Sequence, residues 1–366
     1  MADFTMKTGI PYTVVAKAAP EPAFQLTVVT VCWNALTDLK PTVESVLRQK
    51  AKGSISIEHV VVDGASTDGT PEWLAEQLEA GNIEQYVSEP DRGIYDAMNK
   101  GINLARGCAL AFLNAGDTYT DEDLAPCVLP IAEGRCAATG ASARICGLPR
   151  EEIFRPRYEM RYLTMPCCHQ SYFAAACLYR ENSGYDSAYY RCAADADFLF
   201  RTYNLHGSPV IVNAVVADFQ AGGFSNDCHE QYRHEGLELL WRNWEQIQAL
   251  CRQDKQYRDV FLSLVCNHCF CLQHRQRKHD RDISRELGNL AAMCNGATAL
   301  TCNPAAKVAL RFLGGVYLPR LIRDAPSPSW MRKALRLCQC ACAPARDNPY
   351  MKHMPFPRIT LSGCLR

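Results

Sequence analysis

The chain has 366 residues, 48% hydrophobic and 21% charged, a composition that excludes a disordered, collagenous or coiled-coil protein. Lys and Arg together number 39, as do Asp and Glu, so the formal net charge is zero and names no partner. The distribution is uneven: residues 305–366 carry eleven basic against two acidic side chains, net +9, which leaves −9 over the first 304, and such a tail points to an anionic partner at that end.

Residues 1–23 form an irregular lead-in. Pro11, Pro20 and Pro22 interrupt it and no apolar run resembles a signal-peptide core. No stretch of about twenty apolar residues occurs, so no membrane-spanning helix is expected. The twenty cysteines are then expected as thiols in a reducing cytoplasm. From Phe24 the pattern alternates. Phe24–Trp33 is rich in β-branched and aromatic residues and reads as a buried strand, as does Ile55–Asp63. Between them Pro41–Gln49 reads as a helix with proline at its first position. Thr70–Ala80 is a second helix closed by Gly81, and Ile83–Ser88 and Leu110–Leu113 are short strands. Strands separated by helices of this length imply βαβ units and a mostly parallel sheet. Ligands of such sheets bind at the carboxyl ends of the strands, so the polar residues there are the ones to read for chemistry.

Asp63 ends its strand and opens the loop DGASTDGT. A carboxylate there suits a base or ribose donor group, and equally an Asx-type turn with helix capping by Ser66, Asp68 or Thr70. The next segment is SEPDRGIYDAMNKGINLARG. As a helix over Ile94–Arg106 it carries Ile94, Met98, Ile102 and Ala105 on one face and Asp96, Asn99, Lys100 and Asn103 on the other. Asp91-Arg92-Gly93 leads into the helix N-terminus, an anion-binding position. Arg92 meets a diphosphate there or pairs with Glu89 or Asp91. In ALAFLNAGDTYTDEDL an apolar strand runs into Asn114 and Asp117, oxygen ligands suited to Mg²⁺ or Mn²⁺ shared with phosphate oxygens, or the residues of a plain turn.

The order of these segments resembles the family 2 glycosyltransferases of the nucleotide-sugar-dependent GT-A fold, and within them the bacterial branch that builds colanic acid and related surface polysaccharides. The resemblance spans Leu26 to Ser225. It implies that Asp63 contacts the nucleotide base and that Thr30 and Asn34 belong to the first nucleotide-binding strand and loop. Asp91, Arg92, Asp96, Asn99 and Asn114 complete the implied donor side. FLNAGD stands at the DxD-type motif, with Asn114 and Gly116 in place of two carboxylates, leaving Asp117 as the metal ligand. MPCCHQSYFA (Met165–Ala174) resembles the acceptor-side strand and offers His169 and Gln170. RCAADADFLFR (Arg191–Arg201) matches the segment of the ED motif: Asp195 falls on the catalytic base, Ala194 replaces the preceding Glu, and Asp197 follows two residues on. FQAGGFSN (Phe219–Asn226) closes the domain.

Three regions follow: the lead-in, an α/β GT-A domain over 24–228, and a helical basic extension over 229–366. In the extension Glu230–Leu250, Val260–His274 and Ala305–Leu318 read as helices and Trp330–Leu337 as a basic amphipathic stretch. Cys266, Cys269 and Cys271 with His268 and His274 invite zinc, but Cys266 and Cys269 share a helical face with Leu262 and Val265, as core thiols do. Cys338, Cys340 and Cys342 beside the amphipathic stretch are lipid-modified or buried. The implied activity is an inverting transfer of a sugar from a nucleotide-diphosphate donor, with Mg²⁺ or Mn²⁺, to a saccharide or lipid-linked saccharide. It takes place at the inner face of the membrane and involves no nucleic acid. The rivals are a non-catalytic nucleotide-sugar-binding relative and a dinucleotide-dependent oxidoreductase. The second lacks a G-x-G-x-x-G after the first strand.

Overall fold

A computed structural model of the chain describes residues 15–16, 24–148, 150–163, 165–221, 229–262, 264–265, 282–301 and 304–318. Two compact units divide it. One is Met1–Tyr158 with Pro166–Asp227, the other Glu159–Met165 with Cys228–Arg366.

The first unit is α/β. Its strands are β1 (Val15–Ala16), β2 (Leu26–Cys32), β3 (Ile57–Asp63), β4 (Gln85–Ser88), β5 (Ala109–Phe112), β6 (Thr118–Tyr119), β7 (Ala138–Cys146), β8 (Glu152–Phe154), β9 (Tyr172–Ala175) and β10 (Val210–Gln220). The helices are α1 (Leu36–Lys52), α2 (Thr70–Glu79), α3 (Ile94–Leu104), α4 (Ala125–Ala132), α5 (Ala176–Glu181) and α6 (Ala194–His206). All ten strands form one sheet in the order β1-β4-β3-β2-β5-β9-β7-β10-β6, with β8 on β7. The long ladders β4-β3-β2-β5 and β7-β10 are parallel, while β9 runs antiparallel between β5 and β7.

β2 and β3 are buried along their whole length, which is why they read as valine-rich rather than alternating, with Thr27, Thr30, Glu58 and His59 buried among the apolar residues. Leu26, Val28, Ala111, Phe173 and Val216 pack on one side of the sheet. Cys32, Val61, Leu39, Val43 and Leu74 form a second cluster on the same side, where α1 and α2 cover the sheet. β2, β3 and β4 end together, in register at Cys32↔Asp63 and Asp63↔Ser88, so their following loops gather at one end of the sheet.

The helix expected from Pro41 starts at Leu36 and carries Pro41 inside it. Its first amide is capped from another loop: Leu36 N–H donates to Asp68 Oδ2 at 2.9 Å. Asp68 Oδ1 also takes the Thr70 N–H at 3.2 Å, so one carboxylate serves the first turns of α1 and α2. These bonds hold the exposed Asp68 carboxyl below its usual range, the Thr70 hydroxyl contributing most.

In the second unit the expected helix Glu230–Leu250 is two, His229–Arg242 and Trp244–Gln253. They meet at Asn243, whose side-chain amide turns back onto the Leu239 carbonyl at 2.9 Å. Leu240, Ile247, Tyr257, Phe261, Leu290 and Met293 are buried there. In Pro304–Phe312 and the turn that follows, Leu310, Leu313 and Leu318 are buried and Val308 is exposed. Residues 266–281, with the Cys/His cluster, and 319–366, with the amphipathic stretch and Cys338–Cys342, lie outside the described residues, as do Gly222–Asn226. No described helix is long and apolar enough to cross a membrane.

Candidate active site

Asp63 lies at the last position of β3 and is fully buried. Its Oδ2 accepts from Ser88 Oγ at 2.6 Å and Ser66 N–H at 3.1 Å, and its Oδ1 accepts from the Ser66 hydroxyl. The carboxylate therefore joins the ends of β3 and β4 to the DGASTDGT loop. Asn34 joins the same loop to β2. Its N–H donates to Ser66 Oγ at 2.6 Å and its Oδ1 accepts the Thr67 N–H at 2.8 Å. Asn34 holds φ 48°, a left-handed conformation that asparagine tolerates better than most residues. Thr30 engages His59 Nε2 at 2.9 Å inside the sheet.

Trp33, between these residues, is 69% exposed, although it closes an apolar run. A Cβ built on Gly64 would lie 3.3 Å from Trp33 Cδ1 and 2.7 Å from Asp91 Oδ2, so indole, glycine and carboxylate lie close against one another. Burial pushes the Asp91 carboxyl above its usual range, and its Oδ1 accepts the Gly93 N–H at 2.8 Å. Sequence reading missed Trp33, because an aromatic at the end of a strand-like run reads as core. Its place just before the loop residue Asn34 was the available signal.

The polar face of α3 is tied to its surroundings. Arg92 pairs with Asp96, its guanidinium on Oδ1 and its N–H on Oδ2, both at 3.1 Å, rather than with Glu89 or Asp91. Glu89 pairs with Lys100 at 2.7 Å. Asn99 binds Tyr185 at both backbone groups, 2.8 Å to the carbonyl and 2.9 Å from the N–H.

Asp117 is 4% exposed and held on both oxygens: Oδ2 by Gln170 Nε2 at 2.7 Å and Oδ1 by the Gln220 N–H at 3.0 Å. Burial raises its carboxyl to about 6, against the pull of those two donors. Asn114 Oδ1 is buried without a hydrogen-bond partner. No group of three or more His, Cys, Asp or Glu among the described residues could hold a metal ion. One carboxylate and one orphaned amide oxygen do not make an all-protein cation site. They fit a Mg²⁺-type ion that draws its remaining ligands from water and a substrate's phosphates.

Facing this loop is the turn His169–Ser171. The His169 ring stacks on Phe112 with centroids 5.4 Å apart, and its Nε2 meets Tyr185 Oη at 2.9 Å. Burial lowers its proton affinity, with nearby Asp195 pulling the other way. Asp195, in the first turn of α6, is half-buried. It accepts from Tyr95 Oη and the Ala196 N–H, both at 2.9 Å and both on Oδ1. Asp197, one turn face away, is buried and paired with Arg201 at 2.8 Å. Arg201 in turn clamps the Asn182 and Gly184 carbonyls at 2.6 and 2.8 Å. So Asp195 and His169 meet in one place, Gln170 bridges to Asp117, and Asp197 serves a clamp. Chemically, the arrangement offers an exposed indole beside the buried Asp63 and half-buried Asp91 carboxylates, and a half-buried carboxylate near an imidazole that burial keeps from taking up a proton.

The chain matches the family model described as glycosyl transferase family 2 over residues 27–192. An uncharacterized glycosyltransferase of Mycobacterium tuberculosis (strain H37Rv) is 32% identical over 204 residues, 54% of this chain and 76% of that protein. A PGL/p-HBAD biosynthesis glycosyltransferase of Mycobacterium bovis (strain BCG) is 31% identical over 220 residues, 56% of this chain and 80% of that protein. Among solved structures, Staphylococcus aureus TarS 1–349 in complex with UDP superimposes with a TM-score of 0.56 at 12% identity, over 82% of this chain and 89% of that one. At that identity the likeness is one of fold, and the fold is GT-A.

Proposed function

The chain belongs to glycosyl transferase family 2 and is a glycosyltransferase, and we propose that it moves a sugar from a nucleotide-diphosphate donor to a saccharide acceptor with inversion. The acceptor hydroxyl oxygen bonds to the anomeric carbon as the carbon–oxygen bond to the diphosphate breaks. The nucleoside diphosphate leaves and the hydroxyl proton passes to Asp195. One displacement of this kind inverts the centre.

The observation that supports this reading best is the setting of Asp195. It is the half-buried carboxylate beside His169, held on one oxygen only, whereas Asp197 is consumed by Arg201. A general base must reach the hydroxyl within hydrogen-bond distance. Trp33, Gly64 and Asp91 supply the recess for the base and ribose, with Asp63 and Asn34 fixing its floor. Arg92, exposed on the loop just before α3, would meet the diphosphate by exchanging its bond to Asp96. TarS, of the same fold, is a UDP and UDP-GlcNAc binder, and a uridine nucleotide is the donor class to try first. Asp117 and Asn114 would hold a Mg²⁺ or Mn²⁺ ion, whose charge would neutralise the diphosphate. The acceptor is a saccharide carried on a lipid, in surface polysaccharide or glycolipid assembly, and the basic tail holds the enzyme at the inner membrane face. Catalysis resides in 24–228, with 229–366 as an extension.

The test is a thermal-shift screen of nucleotide sugars with and without Mn²⁺, followed by nucleoside-diphosphate release with the stabilising donor. Stabilisation by a donor without turnover on any saccharide acceptor would favour a binding relative over an enzyme of this mechanism.

A further inference from the structure

We infer that Tyr95 is a positioning residue for the transfer, holding Asp195 by one oxygen so that the other faces the acceptor hydroxyl. The inference rests on the reading of Asp195 as the base.

Tyr95 is the second residue of α3, 7% exposed, its ring packed on Tyr185 at a centroid distance of 5.5 Å. A buried phenol without a partner is costly, and this one spends its O–H on Asp195 Oδ1 at 2.9 Å, across 100 residues of sequence. The Ala196 N–H falls on the same oxygen. Among the described residues no hydrogen bond falls on Oδ2. The carboxylate is thus pinned through Oδ1 and leaves Oδ2 for a proton. Burial, reinforced by the Asp195 charge, keeps the phenol protonated far above neutral pH, so it acts as a standing donor. Around the start of the same helix, Arg92 and Asp96 bind each other, and Asp91 accepts the Gly93 N–H. The segment that lines the donor recess therefore also carries the phenol that sets the base, and one rigid helix start fixes their separation.

A donor hydrogen bond to a carboxylate favours its charged form. Tyr95→Phe, which keeps the ring and its contact with Tyr185, should lower kcat roughly 10- to 100-fold, the cost of one hydrogen bond to a charged group. Donor KM and donor affinity by titration calorimetry should stay unchanged. The acid limb of the pH–rate profile should move to higher pH. Replacing Tyr95 by 3-fluorotyrosine, which keeps the shape and sharpens the donor, should move that limb to lower pH. The fluorinated protein decides the matter if the phenylalanine variant melts early. Wild-type kcat with an unmoved limb in these variants overturns the inference while Asp195→Asn remains inactive. An active Asp195→Asn overturns the base assignment itself, whatever Tyr95 does.

Discussion

Gln170 Nε2 donates to Asp117 Oδ2 at 2.7 Å, joining the turn that begins the acceptor-side strand to the end of the FLNAGD loop 53 residues away. The Gln220 N–H on Oδ1 brings the end of β10 into the same bond set. Three segments with no sequence proximity are thereby fixed by one carboxylate, which burial alone would expel in its charged form.

That setting makes stability depend on pH in an unusual direction. The Asp117 carboxyl sits at about 6 in the folded protein and near 3.9 in an unfolded chain. Between those values the folded state binds the extra proton, so the stabilisation is fully present below about pH 4 and is lost as pH rises through 6. The whole swing is on the order of 2–3 kcal/mol. Asp117→Asn removes it. Chemical denaturation of both proteins at pH 4.5 and 7.5 should show the variant gaining on wild type as pH rises. A difference that stays flat across that range would return Asp117 to an ordinary carboxylate.

The same residue carries a prediction for the donor. Asp117→Ala should weaken nucleoside-diphosphate binding and erase stimulation by Mn²⁺, because Asn114 and Gly116 leave no other carboxylate in the motif. Calorimetry in Mn²⁺ and in EDTA checks this. Equal donor affinity and turnover of the wild type in both buffers would remove the cation from the account.

Asp195→Asn should cut turnover by a factor of about 10²–10⁴, the usual contribution of a general base. Nucleotide affinity should hold, since Asp195 lies with Tyr95 and His169 rather than with the Trp33 recess. Steady-state transfer and titration calorimetry read the two effects separately. Near-normal turnover would pass the role to another group, and Asp197, bound to Arg201, would need to shed its partner first.

How much of this was legible in the sequence follows from what each residue touches. β2 and β3 declare themselves because strands buried on both faces are rich in apolar β-branched residues, and the valine runs of LTVVTVC and EHVVVD supply them. Asp63 was visible because a polar residue that ends such a run must sit at the sheet's rim. The early start of α1 was not, because its cap is Asp68, 32 residues downstream, and no local pattern encodes that bond. Tyr95 and Gln170 were opaque as partners for the same reason: Asp195 and Asp117 reach them only after the chain has folded. Asn99, read as part of a polar stripe, turned out to be a clip on Tyr185, since a helix's polar face is solvated only where no loop lies over it.

Trp33 carries a prediction for the donor recess. A base stacked on an aromatic ring is worth about 1–3 kcal/mol, so Trp33→Ala should weaken nucleotide binding some 5- to 150-fold. Because the side chain is 69% exposed, melting should hardly change. Asp63→Ala should differ: it orphans Ser66 and Ser88 inside the protein, so melting and binding should fall together, with or without Mn²⁺. Binding unaffected by Trp33→Ala would place the base elsewhere.

The basic tail carries the last prediction. Residues 305–366 combine a net charge of +9 with the apolar stretches VALRFLGGVYLPRLI and WMRKALRL. In the part that is described, Leu310, Leu313 and Leu318 are buried, so those side chains are spent on packing and the exposed Val308 is not. In the described part, any attachment to a membrane would then rest on charge more than on inserted side chains. Each Lys or Arg near anionic lipid contributes about 1 kcal/mol, enough together to hold the enzyme at the surface where a lipid-linked acceptor would be. Flotation with phosphatidylserine vesicles should recover the full chain and not one ending at Asn303, and recovery should fall steeply as salt rises past physiological strength. Equal flotation of both proteins, or of neither, would make the tail a structural element whose charges serve only solubility.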